Sequence, residues 1–186
     1  MNLILKPIKT ADICNMYEWE YEPPYHIYNL NSDFSLEEAL AYFLAPSYAF
    51  YALFDQNTDN EFVGFCSFGL DGRVPGGDYY SDVALDIGMG IKPERTGCGL
   101  GTQFVYAVTA FAESNFHPPL LRVTVAEFNQ RAQRVWQRAG FREASRFLST
   151  NGKRPFIIYT RSVHYFPAKT GRRDMENAEE KRWMAC

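Results

Sequence analysis

Residues 86–101 read Asp86-Ile-Gly-Met-Gly-Ile-Lys-Pro-Glu-Arg-Thr-Gly-Cys-Gly-Leu-Gly101, a strand that ends near Lys92-Pro93 and enters a turn with glycine at 97, 99 and 101. An apolar stripe follows at Leu100, Phe104, Val108 and Phe111, the spacing of one face of a helix. Alternate glycines at a helix N-terminus expose successive backbone N–H groups where the helix dipole favours an anion. They also remove the side chains that would hold a diphosphate away from the backbone.

Three ligand classes suit such a turn. A P-loop requires Lys and then Ser or Thr after its last glycine, whereas Thr102-Gln103 follows here. A dinucleotide fingerprint requires GxGxxG at the first strand–helix unit, whereas this turn reads GxGxG and comes after several strands. The diphosphate of an acyl-CoA remains. Read alone, the turn also admits a purely structural strand–helix connection.

Outward from the turn, strand-like segments lie at 2–8, 48–54, 62–69, 83–92, 120–126, 141–149 and 154–160. Ser35 and Glu38 have the spacing of a capping box ahead of Leu36, Ala39, Leu40 and Phe43. A further helix carries Ala132, Val135, Trp136 and Ala139 and stops at Gly140, a favoured residue just past a helix end. Asp55–Asn60 and Asn151-Gly152 read as hairpin turns, and the stretch 71–77 (DGRVPGG) reads as a surface connection between strands. The order is strand, two helices, three or more strands, helix, strand, helix, hairpin, which predicts one α/β domain over 1–161. Its centre is a mixed sheet of six to seven strands flanked by helices. Residues 162–186 read as a polar arm with no assigned chemistry.

The whole chain, 186 residues with 46% apolar and 16% aromatic side chains, is long enough for one sizeable core and short for two domains. A net charge of −3 offers no polybasic footprint, so nucleic acid is not an expected partner. The start, MNLILKPIKT, reads as a first strand rather than a signal peptide, and no apolar stretch approaches the ~20 residues of a membrane span. Cys14, Cys66, Cys98 and Cys186 form no CxxC pair and no metal spacing. A cytoplasmic protein with reduced thiols, no metal and no membrane partner is the expectation, and a homodimer is left open.

A second motif follows strand 120–126: Asn129, Ala132, Trp136, Gly140 and Phe141. Together the two resemble the GNAT superfamily of acetyltransferases. Thr96-Gly97-Cys98-Gly99-Leu100-Gly101 matches its [Q/R]-x-x-G-x-[G/A] turn, and the later residues match its Asn-x-x-Ala-x-x-x-Tyr-x-x-x-Gly-Phe run. The resemblance is strong over 84–141 and looser across 1–160. It implies acetyl-CoA as donor, direct transfer to a small-molecule or peptide amine, and fourth and fifth strands that splay apart around the pantetheine chain. It further implies that backbone groups of Met89, Gly90 and Ile91 bond the pantetheine amides, in the manner of an added strand. The N–H groups from Gly97 through Thr102 would take the diphosphate, and Asn129 the pantetheine arm. Lys92, Arg95, Arg131 and Arg134 are the nearest cations for the 3′-phosphate, each also readable as a solvated surface charge.

Two positions depart from the pattern. Thr96 stands where Gln or Arg is usual, with its backbone N–H expected to serve. Trp136 replaces the Tyr that in many relatives protonates the departing thiolate, and an indole is no usable acid near neutral pH. Trp136 therefore reads either as a wall of the thioester pocket or as a core residue.

An ammonium must lose a proton before it can attack, so a base is expected. Asp86, on the strand leading to the thioester between Leu85 and Ile87, is the first candidate, and Glu127 the second; a structural Asp86 is the competing reading. The aromatic and acidic stretch Trp19–Tyr28 and the loop 70–82 are expected to wall the acceptor pocket, with cation–π contact and charge suited to an amine. A non-catalytic acyl-CoA-binding module is the alternative to an enzyme, and a dinucleotide-binding domain a third reading. Thiol release from acetyl-CoA separates the first from the others.

Overall fold

A computed structural model describes residues 1–79 and 83–164. Seven strands form one sheet in the order β1-β2-β3-β4-β5-β7-β6. They are β1 (Leu3–Pro7), β2 (Ala49–Asp55), β3 (Glu61–Phe68), β4 (Ala84–Ile91), β5 (Leu120–Ala126), β6 (Arg142–Leu148) and β7 (Pro155–Ser162). Neighbours are antiparallel except β4 and β5, which run parallel and are joined through a helix. The arm expected from 162 begins as the end of β7, and residues 165–186 lie outside the described residues.

The helices are α1 (Thr10–Tyr17), α2 (Leu30–Asp33), α3 (Leu36–Phe43), α4 (Gly101–Phe116) and α5 (Gln130–Arg138). α3 starts at the expected box: Ser35 Oγ accepts from Glu38 N–H at 3.3 Å, and the Glu38 carboxylate accepts from Ser35 N–H at 2.8 Å. α5 ends at Ala139 and turns at Gly140 with φ +89, the left-handed geometry anticipated for that glycine. No helix among the described residues is long and apolar enough to cross a membrane.

Each face of the sheet has its own core, because alternate side chains of a strand point to opposite sides. Ile13, Met16, Ala39 and Phe43 from α1 and α3 pack with Phe50 and Ala52 of β2. On the other face Phe104, Val105 and Val108 of α4 and Trp136 of α5 pack with Leu53, Ile87, Val123 and Tyr159. A bulge at Val63, skipped between the pairs Phe54↔Phe62 and Leu53↔Gly64, switches the alternation within β3.

The hairpin expected at Asn151-Gly152 joins β6 to β7 and is closed by Ser149 N–H to the Arg154 carbonyl at 2.8 Å. Ser149 Oγ fills it, donating to the Asn151 carbonyl and accepting from Arg154 N–H. The 71–77 stretch is not merely a surface connection. Gly72 is buried directly on β4, where a Cβ would stand 2.9 Å from Ile87 N and 3.1 Å from Asp86 C.

β3, β4 and α4 meet closely at Gly64, where a Cβ would lie 2.7 Å from the Gly90 carbonyl oxygen and 3.1 Å from the Phe104 ring. Gly64→Ala is expected to destabilise the fold by about 1–3 kcal/mol through overpacking, read by urea unfolding. Unchanged stability would contradict this contact.

Candidate active site

β4 and β5 pair only from Ala84–Ile87 and Leu120–Val123, although β4 continues to Ile91 and β5 to Ala126. Beyond that point the two strands part, as expected, and one edge of β4 is open. Its orientation follows from two bonds to the β3 side: Gly69 N–H to the Asp86 carbonyl, and Lys92 N–H to the Val63 carbonyl, both at 2.9 Å. In an antiparallel ladder every second residue faces the same neighbour. Gly88 and Gly90 therefore direct their backbone groups to β3, and Met89 and Ile91 direct theirs to the open edge. Of the three residues expected to bond an amide chain, Gly90 has its polar groups on the wrong side. Its contribution is the missing side chain, since a Cβ there would collide with the Phe65 ring.

The strand then enters the single turn Pro93–Arg95 and the glycine loop. Thr96 N–H and Oγ both bond the Pro93 carbonyl, at 3.0 and 2.8 Å, so its N–H is engaged in the turn instead of facing a ligand. Among the described residues, no N–H from Gly97 through Thr102 donates to a backbone carbonyl outside α4. Gly97 and Gly99 adopt φ of +73 and +76, a left-handed geometry that costs a residue with a side chain about 1–2 kcal/mol. A Cβ on Gly99 would meet nothing within 4 Å, so the space in front of the loop is open. Gly101 instead allows close helix packing, for a Cβ there would stand 2.9 Å from Val135. Leu100 packs against the core, and Cys98 is exposed. The loop fits a diphosphate: a row of unengaged donors, no obstructing side chain, and the N-terminus of a 16-residue helix behind it.

α5 supplies the opposite wall. Asn129 Oδ1 accepts from Ala132 N–H at 3.0 Å and caps the helix, leaving Nδ2 toward the Tyr28 hydroxyl at 3.4 Å. Arg131 lies over the Tyr25 ring at 4.9 Å, and Arg134 reaches Gln130 at 3.3 Å; both line the cleft. Lys92 and Arg95 are instead paired with Glu61, which leaves the α5 arginines as the freer cations. Trp136 is buried edge-on against Phe141 at 4.9 Å and also lines the cleft, so the two readings of it coincide.

The cleft has a volume of about 900 Å³. The stretch 19–29 crosses its mouth, with the Tyr21 hydroxyl donating to the Ile91 carbonyl at 2.9 Å and Tyr28 stacked on Phe128 at 6.1 Å. Burial, with the Glu94 charge behind it, pushes the Tyr21 phenol up and keeps it a donor. On the α3 side, Phe43, Phe50 and Phe65 form an aromatic wall, and Glu20, Glu22 and Asp33 stand among the lining residues.

Neither expected base reaches this space. Asp86 is 1% exposed, its Oδ1 bound by Arg122 Nε at 2.5 Å and its Oδ2 by Arg122 Nη2 and Arg73 Nε, each at 2.7 Å. The loop carrying Gly72 roofs it, and Tyr79 lies over both guanidinium groups at 4.9 and 5.4 Å. This is the structural reading of Asp86, because donors occupy both oxygens and a loop separates them from the cleft. Glu127 projects to the outer surface beside Arg146. A further carboxylate that lines the cleft, beside Glu20, Glu22 and Asp33, is Asp71, held by the hydroxyls of Tyr42 and Ser67. Ser67 precedes it by four residues at the end of β3, but Tyr42 lies 29 residues upstream on α3, so the sequence carried no signal of this pairing beyond the place of Asp71 in the 70–82 loop.

The family model described as the acetyltransferase (GNAT) domain matches residues 2–142. No curated protein sequence matches. Among solved structures, a spermidine N-acetyltransferase chimera from Vibrio cholerae and hSSAT is similar at 14% identity and a TM-score of 0.68, covering 87% of this chain and 96% of that one. A GNAT-family acetyltransferase from Bacillus anthracis is similar at 15% identity and a TM-score of 0.67, covering 87% of this chain and 95% of that one. An aminoglycoside acetyltransferase in complex with coenzyme A is similar at 18% identity and a TM-score of 0.67, covering 96% of this chain and 99% of that one.

Asp86→Asn is expected to lower stability by about 3–5 kcal/mol, since it removes the buried negative charge that pairs with both Arg122 and Arg73. Chemical unfolding measures this. A variant of native stability would contradict the structural role.

Proposed function

The chain belongs to the GNAT acetyltransferase family, and on that premise we propose that it transfers acetyl directly from acetyl-CoA to an amine lying on the aromatic, acidic side of the cleft. The observation that carries this reading is the open edge of β4 at Met89 and Ile91, which leads straight into the row of unengaged N–H groups at Gly97–Thr102. An extended chain with amide groups and a diphosphate at one end is complementary to that surface.

Met89 and Ile91 offer one N–H and one C=O each to the pantetheine amides, as in strand addition. Because the Tyr21 hydroxyl already occupies one lone-pair direction of the Ile91 carbonyl, Met89 supplies the less encumbered pair. The N–H groups from Gly97 through Thr102 receive the diphosphate, and Arg131 and Arg134 lie on the side where the 3′-phosphate would sit. Asn129 keeps its cap and offers Nδ2 to the pantetheine arm. Trp136 shapes the thioester end without acting as an acid.

Direct transfer is supported by what lines the cleft. Among the described lining residues there is no cysteine, serine or histidine to form a covalent intermediate. Cys66 is buried, which pushes its thiol up and keeps it un-ionised. The aromatic wall beside Glu20, Glu22 and Asp33 suits a cationic acceptor, and structurally similar proteins are described with spermidine and kanamycin.

The test is acetyl-CoA calorimetry together with thiol release in the presence of spermidine, kanamycin and simple alkylamines. Wild type should bind acetyl-CoA and release thiol with at least one amine. Gly99→Val should lose at least about tenfold in acetyl-CoA affinity, or 1.4 kcal/mol, because its side chain enters the diphosphate space. Full affinity in a folded Gly99→Val protein would overturn the assignment of the turn, and binding without thiol release would favour a non-catalytic module.

A further inference from the structure

The resolved fate of Asp86 leaves the acceptor's proton without a receiver, and the loop that roofs Asp86 presents a different carboxylate to the cleft. Leu70–Gly72 form one tight turn after β3 and press Gly72 onto β4. Arg73 then reaches down to Asp86, and the Tyr79 hydroxyl bonds Val74 and, at 3.1 Å, Thr124 of β5. The loop is thus fastened to both strands of the splay, and Asp71 stands at its inner end. Asp71 Oδ2 lies 3.1 Å from where a Cβ of Gly88 would be. Gly88 is the first residue of β4 beyond its last pairing with β5 at Ile87.

Resting on the acetyltransferase reading above, we propose that Asp71 is the residue that holds the acceptor ammonium over Gly88 and takes its proton. Three observations make the geometry suitable. Glycine at 88 and 90 leaves the floor of the cleft bare beside the carboxylate. Tyr42 donates to Asp71 Oδ1 at 2.5 Å and Ser67 to Oδ2, fixing the carboxylate with one hydroxyl on each oxygen. A carboxylate has about four lone-pair sites, so each oxygen keeps a position for the ammonium. Burial, with the hydrogen bond to Asp71 and its negative charge behind it, pushes the Tyr42 phenol up and keeps it a donor.

The charged groups around Asp71 do not cancel that charge. Tyr42 from α3 is a neutral donor, Arg73 on the same loop is committed to Asp86, and Glu20, Glu22 and Asp33 in the cleft wall are of like sign. In the reaction the ammonium gives one proton to an Asp71 oxygen, and the freed lone pair forms the N–C bond to the acetyl carbon. The C–S bond breaks with its electron pair on sulfur. The second N–H proton ends on that sulfur, and Asp71 returns the first to solvent. Tyr42 and Ser67 are positioning residues, since they act through Asp71.

The experiment compares wild type with Asp71→Asn, using the best alkylamine of the panel and, as a second acceptor, a weakly basic amine such as 2,2,2-trifluoroethylamine that is largely unprotonated near neutral pH. For the alkylamine, kcat/KM of Asp71→Asn should fall by about 10²–10⁴ at unchanged acetyl-CoA affinity. The loss should shrink at least tenfold for the weakly basic acceptor, and for the alkylamine as pH rises through the amine's own titration. A structural role would move stability and leave the penalty independent of acceptor basicity. Tyr42→Phe, which keeps the ring and the carboxylate, should lower kcat several-fold in a folded protein. An active wild type with an unaffected Asp71→Asn variant, or one impaired equally toward both acceptors, overturns this inference alone. A wild type inert toward every amine removes the acetyltransferase reading with it.

Discussion

An open strand edge inside a protein is a row of donors and acceptors that some partner must claim, and β4 beyond Ile87 is such an edge. The rest of the cleft is arranged around it. β5 leaves β4 at Val123, α4 begins at the glycine loop where β4 ends, and α5 closes the far side through Asn129 and Trp136. The parting separates two functions by face and by edge. Backbone groups of Met89 and Ile91 point along the sheet into the gap, whereas the bare α-carbons of Gly88 and Gly90 look toward the aromatic wall under α3. Donor and acceptor can therefore approach the same few residues from different directions.

Holding two parallel strands together at one end and apart at the other needs a fastening. The Asp86–Arg122 pair supplies it, each residue on one of the two strands at the paired register Asp86↔Arg122. Arg73 and Tyr79 extend the same cluster to the 70–79 loop. A buried ion pair is weak evidence for net stability, because removing both charges from water costs nearly what their attraction returns. Its value here is geometric: bidentate guanidinium contact fixes where the strands cross and where the loop sits.

Much of this was legible in the sequence. Six of the seven strands were visible as short apolar runs bounded by turn residues, the polar β6 only through the Asn151-Gly152 hairpin signal after it, and the helices at Ser35 and Asn129 announced themselves through their caps. The glycine loop was readable because φ > 0 and an unobstructed backbone are requirements that few residues besides glycine meet. The Asp86 expectation misjudged the acid because a strand position does not reveal what will cover it. Arg73, Arg122 and Tyr79 come from a loop and another strand, 13 and 36 residues away in the case of the arginines. Asp71 was hidden for the same reason, its partner Tyr42 lying 29 residues upstream on a helix. The orientation of Gly90 was likewise a matter of register, which depends on pairing with β3 rather than on the residues of β4 alone.

The central claim is that acetyl-CoA lies along the open edge of β4 and ends on the glycine loop. Residue-resolved amide hydrogen exchange, with and without acetyl-CoA, tests it most directly. The account predicts new protection at Met89, Ile91 and the amides from Gly97 through Thr102, with Gly88 and Gly90 unchanged because β3 already holds them. Protection of Gly88 and Gly90 with none at Met89 and Ile91, or a glycine loop that exchanges as before, would contradict it.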